Sequence, residues 1–354
     1  MAKSEESKEY NDKEIILINI GFNKGYNFAV WLNTFTSLNV SSSVWYDYLQ
    51  KWKSMNNKVV NQVDCGNCND CKFTYNIRNI NTNRIRFIGI DLNKQNVELV
   101  SGVFSSLNTT GQLKGVSVQL LHAAGGPRPG VLRIPKCPPG NELCRIPDSV
   151  NETSSNFDNV QVVTVDNIIR NISSFDGRRK IVDILMVDTE GHDALILEGA
   201  SHHIRQQAIR CIIFEYHFLK PWLTMRLEST IEFLRAHKYV CFLQGQKRLW
   251  PISGSFWNPL YEFHYWSNVM CIHENDKWLD RVSEYIVTSD YLENMMERIT
   301  HDLSGRLVKI PNENTVFLIY NHTKILMSKA RLGGYSSIDI IEVRKSFLDM
   351  VERS

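Results

Sequence analysis

Short apolar runs alternate with amphipathic stretches along most of this chain. The runs are rich in Ile, Val, Leu and Phe, as is typical of strands buried on both faces of a parallel sheet. The predicted strands are Glu14–Asn19, Arg86–Asp91, Val116–Leu121, Val160–Val165, Ile181–Val187, Arg210–Phe214, Tyr239–Leu243 and Ser267–Ile272. Stretches such as Asn96–Phe104 and Thr224–His237 are predicted to be helices. This alternation, which continues to about residue 275, predicts an α/β protein with a doubly wound, mostly parallel sheet.

The same pattern sets the expected domain boundaries. Residues 1–280 are predicted to form one domain, with insertions at about 33–83 and 125–158 where the alternation is interrupted. Residues 281–354 are predicted to be a connecting helix followed by a small β-containing appendage. Its expected elements are the helix Val282–Asp302, two strands at Arg306–Ile310 and Thr315–Tyr320, and a last short strand or helix at Ile338–Leu348. Lys324–Met327 is expected to continue the second strand.

Composition and charge narrow the class of protein. The 354 residues are 43% hydrophobic and 22% charged, an ordinary globular balance, and the net charge of +2 gives no reason to expect nucleic-acid binding. The first fourteen residues are polar, and no apolar run approaches the length of a membrane span. We therefore expect a cytoplasmic protein without a secretory signal, in which the sequons at Asn39, Asn108, Asn151, Asn171 and Asn321 occur by chance.

The most informative segment is IVDILMVDTEGHDALILEGA, residues 181–200. Asp188, Glu190, His192 and Asp193 follow a buried strand directly, and helical spacing resumes after them. Ligands of open α/β sheets bind outside the carboxyl ends of the strands, so this cluster is placed where a ligand would lie. The simpler alternative is that Asp188 or Thr189 caps the next helix.

Two other strand ends carry matching signals. GFNKGY follows the first strand, and Gly21 and Gly25 would let the backbone approach a ligand at the start of the next helix. The motif is neither a dinucleotide fingerprint nor a P-loop. Asp91 ends the second strand, where an acid of an α/β nucleotide site meets ribose hydroxyls. Each signal alone also fits a plain turn or cap, but together they predict one site at one sheet edge.

These residues resemble a known family. INIGFNKGYN, GIDLNKQN, LLHAAGG, VTVDNII, VDILMVDTEGHDALILEGA and CIIFEYH occur in the order and spacing of FkbM-type S-adenosylmethionine-dependent methyltransferases, over roughly residues 14–275. The resemblance implies a Rossmann-like, seven-stranded sheet whose last strand is antiparallel. It also implies methyl transfer from S-adenosylmethionine, most often to a hydroxyl of a small molecule or glycan.

The resemblance also implies roles for individual residues. Donor-binding residues would be Gly21, Asn23 and Gly25 for the methionine moiety and ribose, Asp91 for the ribose hydroxyls, and His122 and Ala123 near the adenine. Asp188 and Glu190 would lie where the methyl meets the acceptor. The chain departs from the family at Asn19, where an acid is common, and at Asp91, where Glu is usual.

Methylation of a hydroxyl needs a base or a metal, because a free hydroxyl is a poor nucleophile. The candidate catalytic residues are Asp188, Glu190, His192, Glu215 and His217. We expect base catalysis by Glu190, with His217 as the second candidate. The alternative is a divalent cation held by Asp188, Glu190 and Glu215.

The cysteines pose a separate question. Cys65, Cys68 and Cys71 could bind a structural zinc ion if Cys137 or Cys144 supplied a fourth ligand. Free thiols and a local Cys137–Cys144 disulfide are the alternatives, and a disulfide is disfavoured in the cytosol. The remaining cysteines, Cys211, Cys241 and Cys271, are expected to be small core hydrophobes.

Other functions remain open from the sequence. The aromatic-rich loop 250–266 is expected to be either an acceptor platform or a packed lid. The chain could instead be a non-catalytic methyltransferase-fold scaffold that binds a partner through the cysteine insertion and the appendage. An NAD-dependent oxidoreductase is disfavoured because G-x-G-x-x-G is absent.

Overall fold

The structure, a computed structural model, describes only part of the chain. It describes residues 14–36, 38, 40–56, 84–109, 111, 113–141, 144, 146, 157–172, 181–219, 221–245 and 248–287, and the backbone of four strands between 307 and 342. The chain forms two compact units, 1–246 with 251–283 and 247–250 with 284–354. Among the described residues, no helix has both the length and the apolar character that a membrane span requires.

The first unit is built on a large sheet. The strands of the first unit, in chain order, are β1 (Ile15–Ile20), β2 (Ile85–Asp91), β3 (Val116–His122), β4 (Ala124–Gly125), β5 (Gly130–Pro135), β6 (Phe157–Val163), β7 (Val182–Val187), β8 (Ile209–Tyr216), β9 (Tyr239–Gly245) and β11 (Ser267–His273). β10 (Arg248–Pro251) lies at the unit boundary. Seven strands of the large sheet lie in this unit, in the order β9–β11–β8–β7–β1–β2–β3.

Most strands of the large sheet are parallel. β1 lies in the middle of the sheet, parallel to β2 and β7, and all six of its residues are buried. β3 and β8 continue the parallel sheet, whereas β11 runs antiparallel to both β8 and β9. The predicted α/β class with a large, mostly parallel sheet is therefore confirmed.

Helices cover the sheet with apolar stripes at helical spacing. They are α1 (Tyr26–Phe35), α2 (Ser42–Asn56), α3 (Lys94–Thr109), α4 (Val165–Asn171), α5 (Asp193–Glu198), α6 (Ser201–Arg205), α7 (Leu227–Ala236) and α8 (Lys277–Val282). The ring of Phe28 on α1 lies 5.5 Å from that of Phe87 on β2 and 5.6 Å from that of Phe104 on α3. Trp45 of α2 is fully buried and donates from Nε1 to the carbonyl of Lys24, so α2 fastens the turn that follows β1.

One predicted strand belongs to a different sheet. The run at Val160–Val165 is β6, and it pairs with β5 and β4 in a separate three-stranded sheet. The 125–158 insertion thus contributes the antiparallel partner of β6. The sequence pattern could not reveal this, because β6 alternates buried and exposed residues like any half-covered strand.

The second unit is described only as strands of backbone. β12 (Leu307–Lys309), β13 (Val316–Tyr320), β14 (Thr323–Met327) and β15 (Ile340–Glu342) form a four-stranded sheet in the order β14–β13–β12–β15. The strands expected in this region are present, and Lys324–Met327 forms its own strand rather than extending β13. Most of the expected helix Val282–Asp302 lies outside the described residues. Of its described part, residues 283–285 form a 3₁₀ turn.

A buried ion network lies where β7 and β8 begin. Asp183 is 1% exposed, accepts a hydrogen bond from the backbone N–H of Ile16 and lies 3.6 Å from Nε of Arg210. The same Nε lies 3.0 Å from Asp276, and the guanidinium lies 5.2 Å from the ring centre of Trp278. Arg210 therefore compensates two acids and ties α8 to the sheet.

We expect Arg210→Met to lower the free energy of unfolding by about 3–5 kcal/mol, because it leaves the buried Asp183 carboxylate without its cation. Arg235→Met is the matched control. The Arg235–Glu232 pair is exposed, so its loss should cost less than about 1 kcal/mol. Urea denaturation of both variants measures the difference, and equal losses would contradict a role for Arg210 in the core.

Candidate active site

The carboxyl ends of five parallel strands meet at one level of the sheet. In the strand register Ile20 faces both Ile90 and Val187, and Val187 in turn faces Phe214. The residues that follow these positions are therefore neighbours: Gly21, Asp91, Asp188 and Glu215, together with His122, which faces Asp91. The tertiary structure thus brings the predicted strand-end residues to one edge.

The turn after β1 is shaped by left-handed backbone. Gly21, Asn23 and Gly25 have φ angles of 84°, 47° and 74°. A Cβ on Gly21 would lie 1.7 Å from the carbonyl oxygen of Asp188, so no other residue fits there. The backbone N–H of Gly21 donates to Ile90 and that of Asp188 to Ile20, so backbone bonds join the three strand ends. Substituting Gly21 would disrupt this junction, and Gly21 is therefore unsuitable for probing ligand binding.

The carboxylate of Asp91 joins the end of β2 to the glycine turn. Oδ2 accepts from the backbone N–H of Asn23 at 2.8 Å, and Oδ1 accepts from Asn93 N–H and from Nδ2 of Asn96. A carboxylate offers about four acceptor positions, so one remains on Oδ2 for a ligand hydroxyl. Burial raises the pKa of Asp91 to about 6, and these three donors only partly offset that effect.

Two asparagine side chains beside this turn contain buried polar atoms with no hydrogen-bond partner. Asn19 is completely buried, and neither its Oδ1 nor its Nδ2 makes a hydrogen bond. Oδ1 of Asn23 is also buried and makes no hydrogen bond. Buried polar groups are normally satisfied, so these atoms fit a place where a polar ligand completes the bonding. Asn19 occupies the position where the related family commonly has an acid.

The predicted adenine contacts lie at the end of β3. His122 is exposed, and its Nε2 lies 3.0 Å from the carbonyl oxygen of Leu92. Ala123 is buried and donates its N–H to the carbonyl of Asp91. Both residues therefore border the ribose-binding candidate.

Asp193 organises the acidic turn after β7, although the sequence predicted no separate role for it within the acidic cluster. Asp193 is fully buried and begins α5, and its carboxylate accepts from the N–H groups of Gly191 and Glu215 and from the Thr189 hydroxyl. Burial raises the pKa of Asp193 well above its usual range, and the charges of Glu215 and Asp188 raise it further. An acid in the first turn of a helix is so common that its position alone does not reveal this role.

Three of the predicted catalytic side chains come together. Glu190, Glu215 and His217 each place one ligand-type atom within 4.8 Å of the others. Glu190 has a φ of 53° and is partly exposed, whereas Glu215 and His217 are buried. Among the described residues, this is the group that could hold a metal ion. Asp188 and His192 lie in the same turn as Glu190, but they are not members of this three-residue group.

A backbone bond fixes the tautomer of His217. The N–H of Leu219 donates to Nδ1 of His217 at 3.0 Å, so Nδ1 carries no proton. The neutral ring must then carry its proton on Nε2, which lies 3.4 Å from Oε2 of Glu215. In this state Nε2 has no lone pair for a metal, and the lone pair of Nδ1 is already engaged.

The aromatic loop is held next to this cluster by polar contacts. Glu262 accepts from the hydroxyl of Tyr216 and from the N–H groups of Leu227 and Glu228 at the start of α7. Beyond it, Trp266 packs its ring 5.1 Å from that of His217 and 4.7 Å, edge-on, from that of Phe218. Phe218 and Trp266 are 46% and 43% exposed, so they present aromatic surface beside Glu215 and His217.

The structure corrects two of the cysteine predictions. Cys137 and Cys144 form a disulfide, which removes both thiols proposed as a fourth zinc ligand. Cys241 and Cys271 also form a disulfide and are not separate core thiols. Cys211 alone keeps the expected state, buried as a free thiol. Cys65, Cys68 and Cys71 lie outside the described residues.

Comparison with known proteins gives one family match. Residues 139–241 match the model of the methyltransferase FkbM domain. This confirms the family resemblance, over a range that contains the acidic turn and CIIFEYH but not the glycine turn. No curated protein matches the chain.

Several solved structures are similar to the chain at low identity. Methyltransferase FkbM from Methylobacillus flagellatus is 11% identical with a TM-score of 0.38, and the match covers 73% of this chain and 44% of that one. The METTL16 methyltransferase domain is 9% identical with a TM-score of 0.30, covering 76% and 64%. A putative tRNA (m1A22) methyltransferase from Streptococcus pneumoniae is 8% identical with a TM-score of 0.28, covering 86% of each chain. The chain thus spans less than half of the Methylobacillus protein.

The pKa of Asp91 predicts a pH dependence of stability. Below its ordinary value of 3.8 the carboxyl is protonated in both folded and unfolded chains and costs nothing. Above about 6 it is ionised in both, and burial of the charge costs the folded state about 3 kcal/mol. Wild type should therefore lose about 3 kcal/mol relative to Asp91→Asn between about pH 3.5 and pH 7.

Urea denaturation of both proteins across this range measures the change, and the hydrogen bonds lost in the variant add only a constant offset. Asp158→Asn, at an exposed acid paired with Lys136, is the control and should show no such trend. A difference between wild type and Asp91→Asn that does not vary with pH would contradict the raised pKa.

Proposed function

We propose that this protein is an S-adenosylmethionine-dependent methyltransferase that methylates a hydroxyl of a small molecule or glycan. One observation carries the proposal. The backbone N–H of Asn23 binds the carboxylate of Asp91, while Gly21 packs on the carbonyl of Asp188. The glycine turn, the acid after β2 and the acidic turn after β7 therefore form one continuous site.

The residues around the glycine turn suit a polar, cationic methyl donor. When bound, S-adenosylmethionine supplies an electrophilic methyl group on a sulfonium. The remaining acceptor position of Asp91 would bind a ribose hydroxyl, and Asn19 and Asn23 offer unbonded amide atoms to the polar methionine end. Ala123 and His122 would border the base. The carboxylates of Asp188, Glu190 and Glu215 favour a positive charge at this edge.

We propose that Glu190 removes the proton of the acceptor hydroxyl. Glu190 is partly exposed, and one of its carboxylate oxygens lies within 4.8 Å of ligand-type atoms of Glu215 and His217. Two carboxylates this close repel each other, so taking up a proton relieves the repulsion. His217 acts as a positioning residue in this scheme, because its Nε2 lies 3.4 Å from Oε2 of Glu215 and its Nδ1 is engaged by Leu219.

The fixed tautomer of His217 also favours base catalysis over a metal. A cation at the cluster would have to displace the proton that the Leu219 bond leaves on Nε2. The cation ligands predicted from the sequence are Asp188, Glu190 and Glu215. This set does not include the histidine, but only Glu190 and Glu215 of it belong to the observed cluster.

The acceptor is proposed to bind against Phe218 and Trp266. These rings are exposed within contact of His217, so an acceptor stacked on them would lie beside the proposed base. Sugar rings and flat aromatic molecules both stack on such faces. A non-catalytic scaffold could use Asp91 and the acidic turn for structure alone, so donor binding is the property that separates the two functions.

Isothermal titration with S-adenosylhomocysteine tests the donor site. Wild type should bind, and Asp91→Asn should weaken binding by about ten- to a hundredfold, because a hydrogen bond to a charged group is lost. Asp158→Asn serves as the control and should bind like wild type. Absence of binding by a folded wild-type protein would overturn the methyltransferase function and favour the scaffold.

Methyl transfer to a panel of glycans, lipids and phenols tests the base. Glu190→Gln should lower kcat by about 10²–10⁴ while S-adenosylhomocysteine affinity stays near that of wild type. Glu198→Gln, at an exposed position on α5, should be unaffected. We expect activity to survive chelation with EDTA. Loss of activity that Mn²⁺ restores would instead show that the cluster works through a metal.

A further inference from the structure

Two disulfides join cysteines of the first unit that the structure describes. Cys241 and Cys271 face each other directly in the register of β9 and β11, and both are fully buried. Cys137 and Cys144, with Cα atoms 5.9 Å apart, close the short loop that follows β5. The Cys137–Cys144 loop borders the candidate site, because Nδ2 of Asn93 donates to the carbonyl of Cys137, but neither disulfide contributes a group to the proposed chemistry.

The Cys241–Cys271 bond acts on the loop that carries the aromatic surface. These cysteines lie in the strands on either side of the 250–266 loop, so the bond closes the chain segment that holds Glu262 and Trp266. A cross-link of this kind restricts the unfolded chain and stabilises the folded one. Cys211 lies one strand away, facing Ile272, and burial raises the pKa of its thiol to about 12. It therefore supplies no thiolate to exchange with the bond.

Structural disulfides form and persist in oxidising compartments and are rare in the cytosol. We propose that this protein folds in the lumen of a secretory pathway, and that Asn108 and Asn171 are N-glycosylated there. Formation of each disulfide releases two protons and passes two electrons to a protein disulfide oxidant of that compartment. This inference replaces the cytoplasmic location expected from the sequence and does not depend on the methyltransferase function.

The two glycan sites are marked by sequence and exposure together. Asn108 begins N-T-T in the last turn of α3, and Asn171 begins N-I-S at the last residue of α4. Both residues are exposed, as an attached glycan requires. In the transfer, the Asn amide nitrogen bonds to the first sugar of a lipid-linked oligosaccharide, the amide loses a proton and the lipid diphosphate leaves. The sequons at Asn39, Asn151 and Asn321 lie outside the described residues.

The thiol state tests the compartment. The full chain is isolated from its own cells with N-ethylmaleimide present throughout, digested without reduction and mapped by mass spectrometry. The expected peptides are the linked pairs Cys137–Cys144 and Cys241–Cys271, with Cys211 alkylated after denaturation. Alkylated Cys241 and Cys271 would show that both are thiols in the cell and would overturn the proposal.

Matched variants test the glycan sites in the full chain expressed in eukaryotic cells. Thr110→Ala removes the sequon of Asn108, and Ser173→Ala removes that of Asn171, so each should lower the mass by one glycan. Thr109→Ala alters the middle position of the first sequon and leaves it intact, so its glycan should remain. Wild-type protein whose mass is unchanged by peptide N-glycosidase would overturn the glycan assignment. Donor binding is not measured in either experiment, so failure here leaves the methyltransferase proposal unaffected.

Discussion

The close approach of two strand ends is the constraint on which the rest of the site depends. The backbone of Gly21 lies against the carbonyl of Asp188, with no space for a side chain between them. This contact lets the turns after β1 and β7 share one surface, and the backbone bonds to Ile90 and Ile20 hold the strand ends level. A larger residue at position 21 would separate the proposed donor site from the acidic turn.

Carboxylates at this edge are held by neutral donors, which keeps them available for chemistry. Asp91 and Asp193 accept from backbone N–H groups, an amide and a hydroxyl. Such bonds orient a carboxylate but only partly compensate for its burial, so both pKa values are raised. The opposite end of the sheet differs, since Arg210 there neutralises Asp183 and Asp276. One end is therefore built for stability, whereas the other concentrates negative charge beside a proposed cationic donor.

The acceptor side depends on contacts made far along the chain. Glu262 fastens the aromatic loop to β8 and α7, and Trp222 donates from Nε1 to the carbonyl of Glu215. The Cys241–Cys271 bond joins the strands on either side of the same loop. The base, the ring surface and the cross-link thus belong to one supported region of the first unit.

The sequence by itself determined the α/β class, seven strands of the large sheet and the strand-end residues, because buried parallel strands are apolar runs and their ends are marked by Gly and acids. It could not assign β6 to a second sheet, since alternation looks the same in either sheet. Only the tertiary structure decided that Cys241 faces Cys271, that Asp193 organises the acidic turn and that His217 keeps its proton on Nε2. Each of these depends on a distance or a hydrogen bond between particular atoms, and periodicity along the chain does not encode such contacts.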